Sequence, residues 1–204
     1  MHRSGTGKRR SISFLLPACL ILLLIAQAGA QTAPSSATPE QVPLVFSGGH
    51  ETDPRDRGRP VILIAAALGV SSDVFREAFS HVHPAPAGTE PEPDQVRLNK
   101  AALLGALGPY GITDDLLNTV SNYYRYNRSR GEMWPTREAA GYATVANGAV
   151  TGVTLTQGGA GYSSPPMVKI PGFEPVTVVS QLSFGKSLEE NGSVSGLTLA
   201  PAAN

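Results

Sequence analysis

Residues 147–155 read NGAVTGVTL, and the pattern recurs 44 residues later as NGSVSGLTL at 191–199. The nine positions stay in register with only conservative changes. Asn-Gly is typical of tight hairpin turns because both residues tolerate positive φ. Each copy therefore predicts a tight turn that leads into a strand. Together the copies predict a small antiparallel β-sheet or sandwich.

Two further strands are predicted between the copies. Residues 176–184 largely alternate apolar and polar side chains, which is the period of a strand with one buried face. Residues 167–170 form a second, shorter strand candidate. We assign residues 140–200 to an antiparallel β module.

The chain before these strands carries helix start and stop signals. Pro60 suits a first helical position, and Gly69 ends the apolar run at 61–68. The segments GVSSDVF (69–75) and GITDDLL (111–117) each offer a capping hydroxyl, an acidic first turn and an apolar staple. A third helix opens near Asp94, and four apolar residues are available for its core face: Val96, Leu103, Leu104 and Leu107.

These signals predict four helices, arranged as two helical hairpins, over residues 60–135. With the strands that follow, the expected fold class is α+β: an N-terminal four-helix part followed by a small antiparallel β-sheet or sandwich module. Residues 31–59 are expected to form a flexible linker and a charged loop, because they are rich in proline, glycine and polar side chains, with a short extended piece at residues 42–46.

The first 30 residues predict export. Basic residues at 8–10 precede a mostly apolar run at 14–26, and Ala28-Gly29-Ala30 fits a cleavage site before Gln31. The protein is therefore expected to be periplasmic or secreted. A lipoprotein attached at Cys19 and an uncleaved N-terminal membrane anchor remain the alternatives.

Loss of this leader removes four of the 16 basic residues and leaves a net charge of −4. A mildly acidic chain has no general attraction to nucleic acid or to anionic lipid. The single cysteine lies in the leader, so the remaining chain has no thiol nucleophile and no disulfide. We expect no nucleic-acid partner, no membrane association after cleavage, and no cofactor.

The segment GGAGYSSPP (158–166) resembles a β module of bacterial exported and surface proteins, in which GGxGY[ST]xPP lies between two strands. Residues 48–60 and 122–135 resemble a group of bacterial exported proteins with no assigned activity. The resemblance implies a fold and an extracytoplasmic location, with no catalytic residues. Within this structural turn it assigns packing over the strands to Tyr162, and a turn-shaping role to five residues: Gly158, Gly159, Gly161, Pro165 and Pro166.

A candidate contact surface follows the fourth helix and is rich in aromatic and arginine side chains: Tyr123, Tyr124, Arg125, Tyr126, Arg128, Arg130 and Trp134. Aromatic faces stack on sugars or peptide side chains, and arginine forks bind carboxylates. The alternative is that the aromatic rings join the helical and β parts while the arginines cover the edges of the join.

The alternative hypothesis is a hydrolase with a metal site formed by four side chains: His50, Asp53, His81 and His83. However, His81 and His83 fall at a predicted helix end, where positions i and i+2 point apart and histidine is favourable without a metal. The charged loop around Asp53 is expected to form local ion pairs. The sequence thus favours a non-enzymatic interaction or structural module of the cell envelope, with an envelope protein or glycan as partner.

Overall fold

The computed structural model of this chain describes residues 38–200 except 84, 86–88, 91 and 127–129. The predicted signal peptide, residues 1–30, lies outside the described residues, as does the start of the predicted linker. The described residues belong to one compact unit that begins at Ala37. Its helices mostly precede its strands, which confirms the α+β class.

Four helices are present in the described part, at the predicted places: α1 Val61–Leu68, α2 Ser72–Ser80, α3 Pro93–Leu107 and α4 Asp114–Tyr123. The predicted caps are confirmed. Ser71 Oγ accepts the N–H of Val74 at 3.2 Å, and Thr113 Oγ1 accepts the N–H of Leu116 at 3.2 Å. These bonds satisfy backbone donors that the first turn of a helix leaves without a partner.

The helices enclose an apolar core, whose largest fully buried side chains are Leu63, Leu68, Leu107 and Val120. In α3 only Leu107 is fully buried, while Leu103 and Leu104 pack at the margin of the core. The prediction that Val96 faces the core is wrong, since its side chain is 48% exposed. Val96 belongs to the first half of α3, which lies at the surface.

Seven strands form two antiparallel sheets in the described part: β1 Glu40–Pro43, β2 Val45–Ser47, β3 Ala140–Ala146, β4 Ala149–Gln157, β5 Met167–Lys169, β6 Val178–Ser183 and β7 Ser193–Leu199. The three-stranded sheet has the order β1-β3-β4, and the four-stranded sheet has the order β2-β5-β6-β7. The predicted small antiparallel β module is therefore present, with two additional strands from the N-terminal side.

Those two strands confirm the short extended piece predicted at residues 42–46 and extend it to residues 40–47, so the prediction of a flexible linker is wrong for this part of residues 31–59. Strand β1 pairs with β3, and β2 pairs with β5, so this one extended segment joins both sheets. Leu44 lies between the two strands, and its N–H donates to Gly141 O at 3.0 Å. Val42, Leu44 and Phe46 alternate into the apolar core of the sheets.

The hairpins β3-β4 and β6-β7 share one pairing pattern. In each hairpin the second strand has one extra residue with no partner directly opposite it. This residue is Thr151 in β4 and Ser195 in β7. Thr151 Oγ1 donates to Thr144 O at 3.1 Å, and Ser195 Oγ donates to Gln181 O at 3.3 Å. These pairs occupy equivalent positions, so the two sequence copies adopt equivalent strand structures.

The connections of these hairpins differ. Asn147 and Gly148 have φ of 53° and 75° and form the predicted tight turn between Ala146 and Ala149. Residues 184–192 form a longer connection between β6 and β7. The prediction of a tight turn at Asn191 is therefore wrong, because this connection extends onto the helices.

Candidate functional site

Two of the segments singled out by resemblance fold against each other. We call residues 48–52, residue 134 and residues 158–166 the loop junction. Gly49 O accepts the backbone N–H groups of Ser163 and Ser164 at 2.9 and 3.1 Å. The loop that precedes the helices is thereby fixed to the GGAGYSSPP turn.

Aromatic rings fill the loop junction. The ring of Tyr162 stacks on the ring of His50, with centroids 5.2 Å apart and planes 4° from parallel. The Tyr162 hydroxyl accepts the N–H of Ala139 at 2.9 Å, and its side chain is buried, which confirms its predicted packing role. His50 Nδ1 and Trp134 Nε1 both lie near Gly161 O, at 3.2 and 2.8 Å. The rings are thus fixed by both stacking and hydrogen bonds.

The other predicted turn residues lie at strand connections. Gly158 O accepts the N–H of Val194, and Pro166 O accepts the hydroxyl of Ser180, both within 2.9 Å. Gly161 has φ of 81°, and a Cβ there would lie 2.5 Å from a backbone oxygen, so only glycine fits. Gly159 is buried beside it, whereas Pro165 is exposed.

Asn191 connects the loop junction to the helices. Its side chain is 1% exposed and donates to Leu63 O and to the Tyr124 hydroxyl, both at 2.8 Å, while Oδ1 accepts the N–H of Gly185 at 3.1 Å. Its carbonyl accepts the N–H of Gly161 at 2.9 Å. Burial raises the pKa of Tyr124 to about 12. Sequence reasoning missed this role, although the length of the β6-β7 connection was a signal for it.

The seven residues of the predicted contact surface lie in different settings. Tyr124 and Trp134 are only 4% and 5% exposed, so the prediction of a contact surface is wrong for these two residues. Both pack in the helical core, as the alternative interpretation expected. The remaining described members are two half-buried tyrosines and two exposed arginines: Tyr123, Tyr126, Arg125 and Arg130. Arg128 lies outside the described residues.

The structure does not bring the four candidate metal ligands together. His50 is stacked in the loop junction, and Asp53 is bound by Arg55. His81 Nε2 lies 3.7 Å from a carboxylate oxygen of Glu77, four residues earlier, and is exposed. The backbone N–H of His83 donates to Asn99 Oδ1 (2.9 Å). Within residues 38–200, gaps aside, no three His, Cys, Asp or Glu side chains form a possible metal site.

The charged loop forms a cleft of about 160 Å³ beside the loop junction, which we call the polar cleft. Its polar lining includes six residues: Glu51, Asp53, Asp56, Arg59, Arg76 and Ser163. Asp56 is 4% exposed, and its two carboxylate oxygens accept Arg76 Nε at 2.7 Å and Arg76 Nη2 at 2.9 Å. This two-point bond compensates the buried charge and raises the pKa of Arg76. The predicted local ion pairs are confirmed here.

Two other acids of the polar cleft, Asp53 and Glu51, are held in their ionised form. Hydrogen bonds from Arg55 lower the pKa of Asp53 to about 2. The Ser164 hydroxyl donates to Glu51 and lowers the pKa of that carboxyl group. The polar cleft therefore keeps Glu51 and Asp53 as carboxylates at neutral pH.

Arg59 has a different environment. Its guanidinium lies 4.2 Å from the centre of the Phe79 ring, and Nη1 donates to the backbone oxygen of Asp56 at 3.1 Å. Burial lowers the pKa of Arg59. No ion pair joins Arg59 to a carboxylate among the described residues.

Comparison of the chain with protein-family models, curated proteins and solved structures finds no match. Of the helices that the structure describes, none has both the length and the apolar character to cross a membrane.

Proposed function

We propose that this protein is an exported, non-enzymatic interaction or structural module of the cell envelope. The observation that carries the proposal is the loop junction, in which the distinctive residues are used to shape and fasten the fold. Tyr162, Trp134 and His50 each direct a ring or a polar atom onto neighbouring protein groups. Together with the export leader, this supports a rigid platform outside the cytoplasm.

The proposed contact face is the part of the predicted contact surface that is accessible to solvent. It consists of the half-buried Tyr123 and Tyr126 with the exposed Arg125 and Arg130. Tyr126 is fixed by a hydrogen bond from its hydroxyl to Gly58 O. Fixed rings flanked by arginines suit an envelope glycan or an acidic envelope protein, because rings stack and guanidinium groups bind carboxylates.

Cell fractionation followed by N-terminal sequencing tests the location. The proposal predicts recovery in the envelope or the medium, with Gln31 as the first residue. Recovery in the cytosol with the leader intact would contradict it.

Cross-linking to envelope proteins and sedimentation with envelope glycan test the contact face. The double variant Arg125→Glu/Arg130→Glu should lose the partner, whereas Arg97→Glu, on the exposed part of α3, should retain it. Both variants should unfold at the wild-type temperature because all three arginines are exposed. Equal binding by both would exclude this face.

A further inference from the structure

The acids of the polar cleft already have donors within the protein. Arg76 binds Asp56 through two N–H groups, and Arg55 binds Asp53 at 2.7 Å. Glu51 accepts a backbone N–H at 3.1 Å as well as the Ser164 hydroxyl. These acids are therefore fixed in place and do not neutralise the remaining cation.

That remaining cation is Arg59. A guanidinium carries five N–H donors in a planar fork, and the described contacts use one of them, on a backbone oxygen. The ring of Phe79 supports one face of the group and fixes its plane. A fixed fork of this kind matches the two oxygens of a carboxylate.

The acids also select among carboxylate ligands. Both described hydrogen bonds to the Glu51 carboxylate reach Oε2, so Oε1 retains capacity to accept from a ligand. The negative charges of Glu51 and Asp53 repel a multiply charged anion and attract an ammonium group. The cleft volume of about 160 Å³ is below the roughly 300–1,000 Å³ of pockets for drug-sized ligands. The chemistry therefore fits a small compound with one carboxylate and one amine.

We infer that the polar cleft binds a small zwitterion, with its carboxylate on the Arg59 guanidinium and its ammonium group beside Glu51 and Asp53. Free amino acids are the simplest members of this class. The inference does not depend on export or on the contact face proposed above, because it concerns different residues and is tested on the purified protein.

Titration of the purified protein with five probes, followed by NMR, tests the ligand class. The probes are glycine, alanine, acetate, methylamine and inorganic phosphate at neutral pH. Glycine or alanine should bind at least tenfold more tightly than acetate or methylamine, and phosphate should bind no more tightly than acetate. Tightest binding by phosphate, or no saturable binding of either amino acid, would overturn the inference.

Two variants test the residues. Arg59→Lys keeps the positive charge but loses the fork, so it should weaken glycine binding at least tenfold, while Arg97→Lys should leave it unchanged. Thermal unfolding establishes that each variant is folded. Should Arg59→Lys fail to fold, the exposed Glu51→Gln provides the second test. It should weaken glycine binding severalfold and leave acetate binding equal or stronger. Glycine binding that neither Arg59→Lys nor Glu51→Gln changes would overturn the assignment.

Discussion

The same dipeptide, Asn-Gly, directly precedes the second strand of both hairpins, but it is exposed in the first copy and buried in the second. Asn147 and Gly148 are exposed and form a two-residue turn. Asn191 and Gly192 are buried between the helices and the loop junction. The strands that follow keep the same register irregularity in both copies.

The cause of the difference is the connection that precedes each dipeptide. The second copy has additional residues at 184–190, and Phe184 and Leu188 from this segment pack against the helical core. This packing carries Asn191 to the helix α1 backbone and to Tyr124. A local motif thus fixes the strand that follows, while the connecting length decides what the motif contacts.

The largest contrast is expected from matched glycine substitutions. At Gly192 a Cβ would lie 2.4 Å from Tyr162 O and 2.6 Å from Leu63 Cδ2, whereas at Gly148 no atom lies within 4 Å. Both have positive φ, so each alanine variant suffers backbone strain of about 1 kcal/mol. Gly192→Ala should lose about 4 kcal/mol of unfolding free energy in total, by urea titration. Equal losses at the two sites would show that the second copy is not tightly enclosed.

The next contrast concerns the asparagines. Asn191→Ala leaves Leu63 O, the Gly185 N–H and the Tyr124 hydroxyl without their partner, and should reduce the free energy of unfolding by about 3 kcal/mol. Asn147→Ala should cost about 1 kcal/mol, from the left-handed backbone alone. Urea titrations of the two variants measure both values. An Asn191→Ala protein as stable as Asn147→Ala would refute the anchoring role.

The free energy of unfolding should depend on pH through Tyr124, whose hydroxyl contacts Asn191 of the second Asn-Gly copy. The folded chain holds the Tyr124 proton up to about pH 12, while the unfolded chain releases it near the ordinary value of 10.0. The stabilisation is therefore present below pH 10 and is lost as the pH rises to about 12, by at most about 1.4 kcal/mol per pH unit.

The variant Tyr124→Phe isolates this contribution. The difference in unfolding free energy between wild type and variant should fall by about 2 kcal/mol between pH 10 and 12. Urea titration at fixed pH values measures it. A difference that stays constant over this interval would mean that the hydroxyl is not buried as described.

The smallest effects should be alike in the two copies. Thr151→Val and Ser195→Ala each remove one exposed hydroxyl that donates to the partner strand, so each should cost about 0.5 kcal/mol. Thermal unfolding of the two variants provides the comparison. A clearly larger loss at either position would show that the two strand irregularities are not equivalent.

Sequence reasoning succeeded where the determinants are local. The caps at Ser71 and Thr113, the stop at Gly69 and the turn at Asn147 each depend on a few consecutive residues. The alternation within residues 176–184 likewise predicted strand β6, although the strand begins only at Val178.

It failed where contacts between distant residues decide the outcome. The extended piece at residues 42–46 was predicted, but its pairing with β3 and β5, far along the chain, was not. The burial of Tyr124 and Trp134 depends on partners such as Asn191 and Gly161. The polar cleft escaped prediction because Arg76, on α2, reaches back to Asp56.

The central claim is that the second Asn-Gly copy fastens the loop junction and the helices into one cooperative unit. Trp134 is the only tryptophan and lies where the loop junction meets the helical core, so its fluorescence reports that contact, while far-ultraviolet circular dichroism reports the helices. Urea unfolding followed by both signals should give one shared midpoint. A fluorescence change complete at a urea concentration that leaves the helical signal intact would contradict the claim.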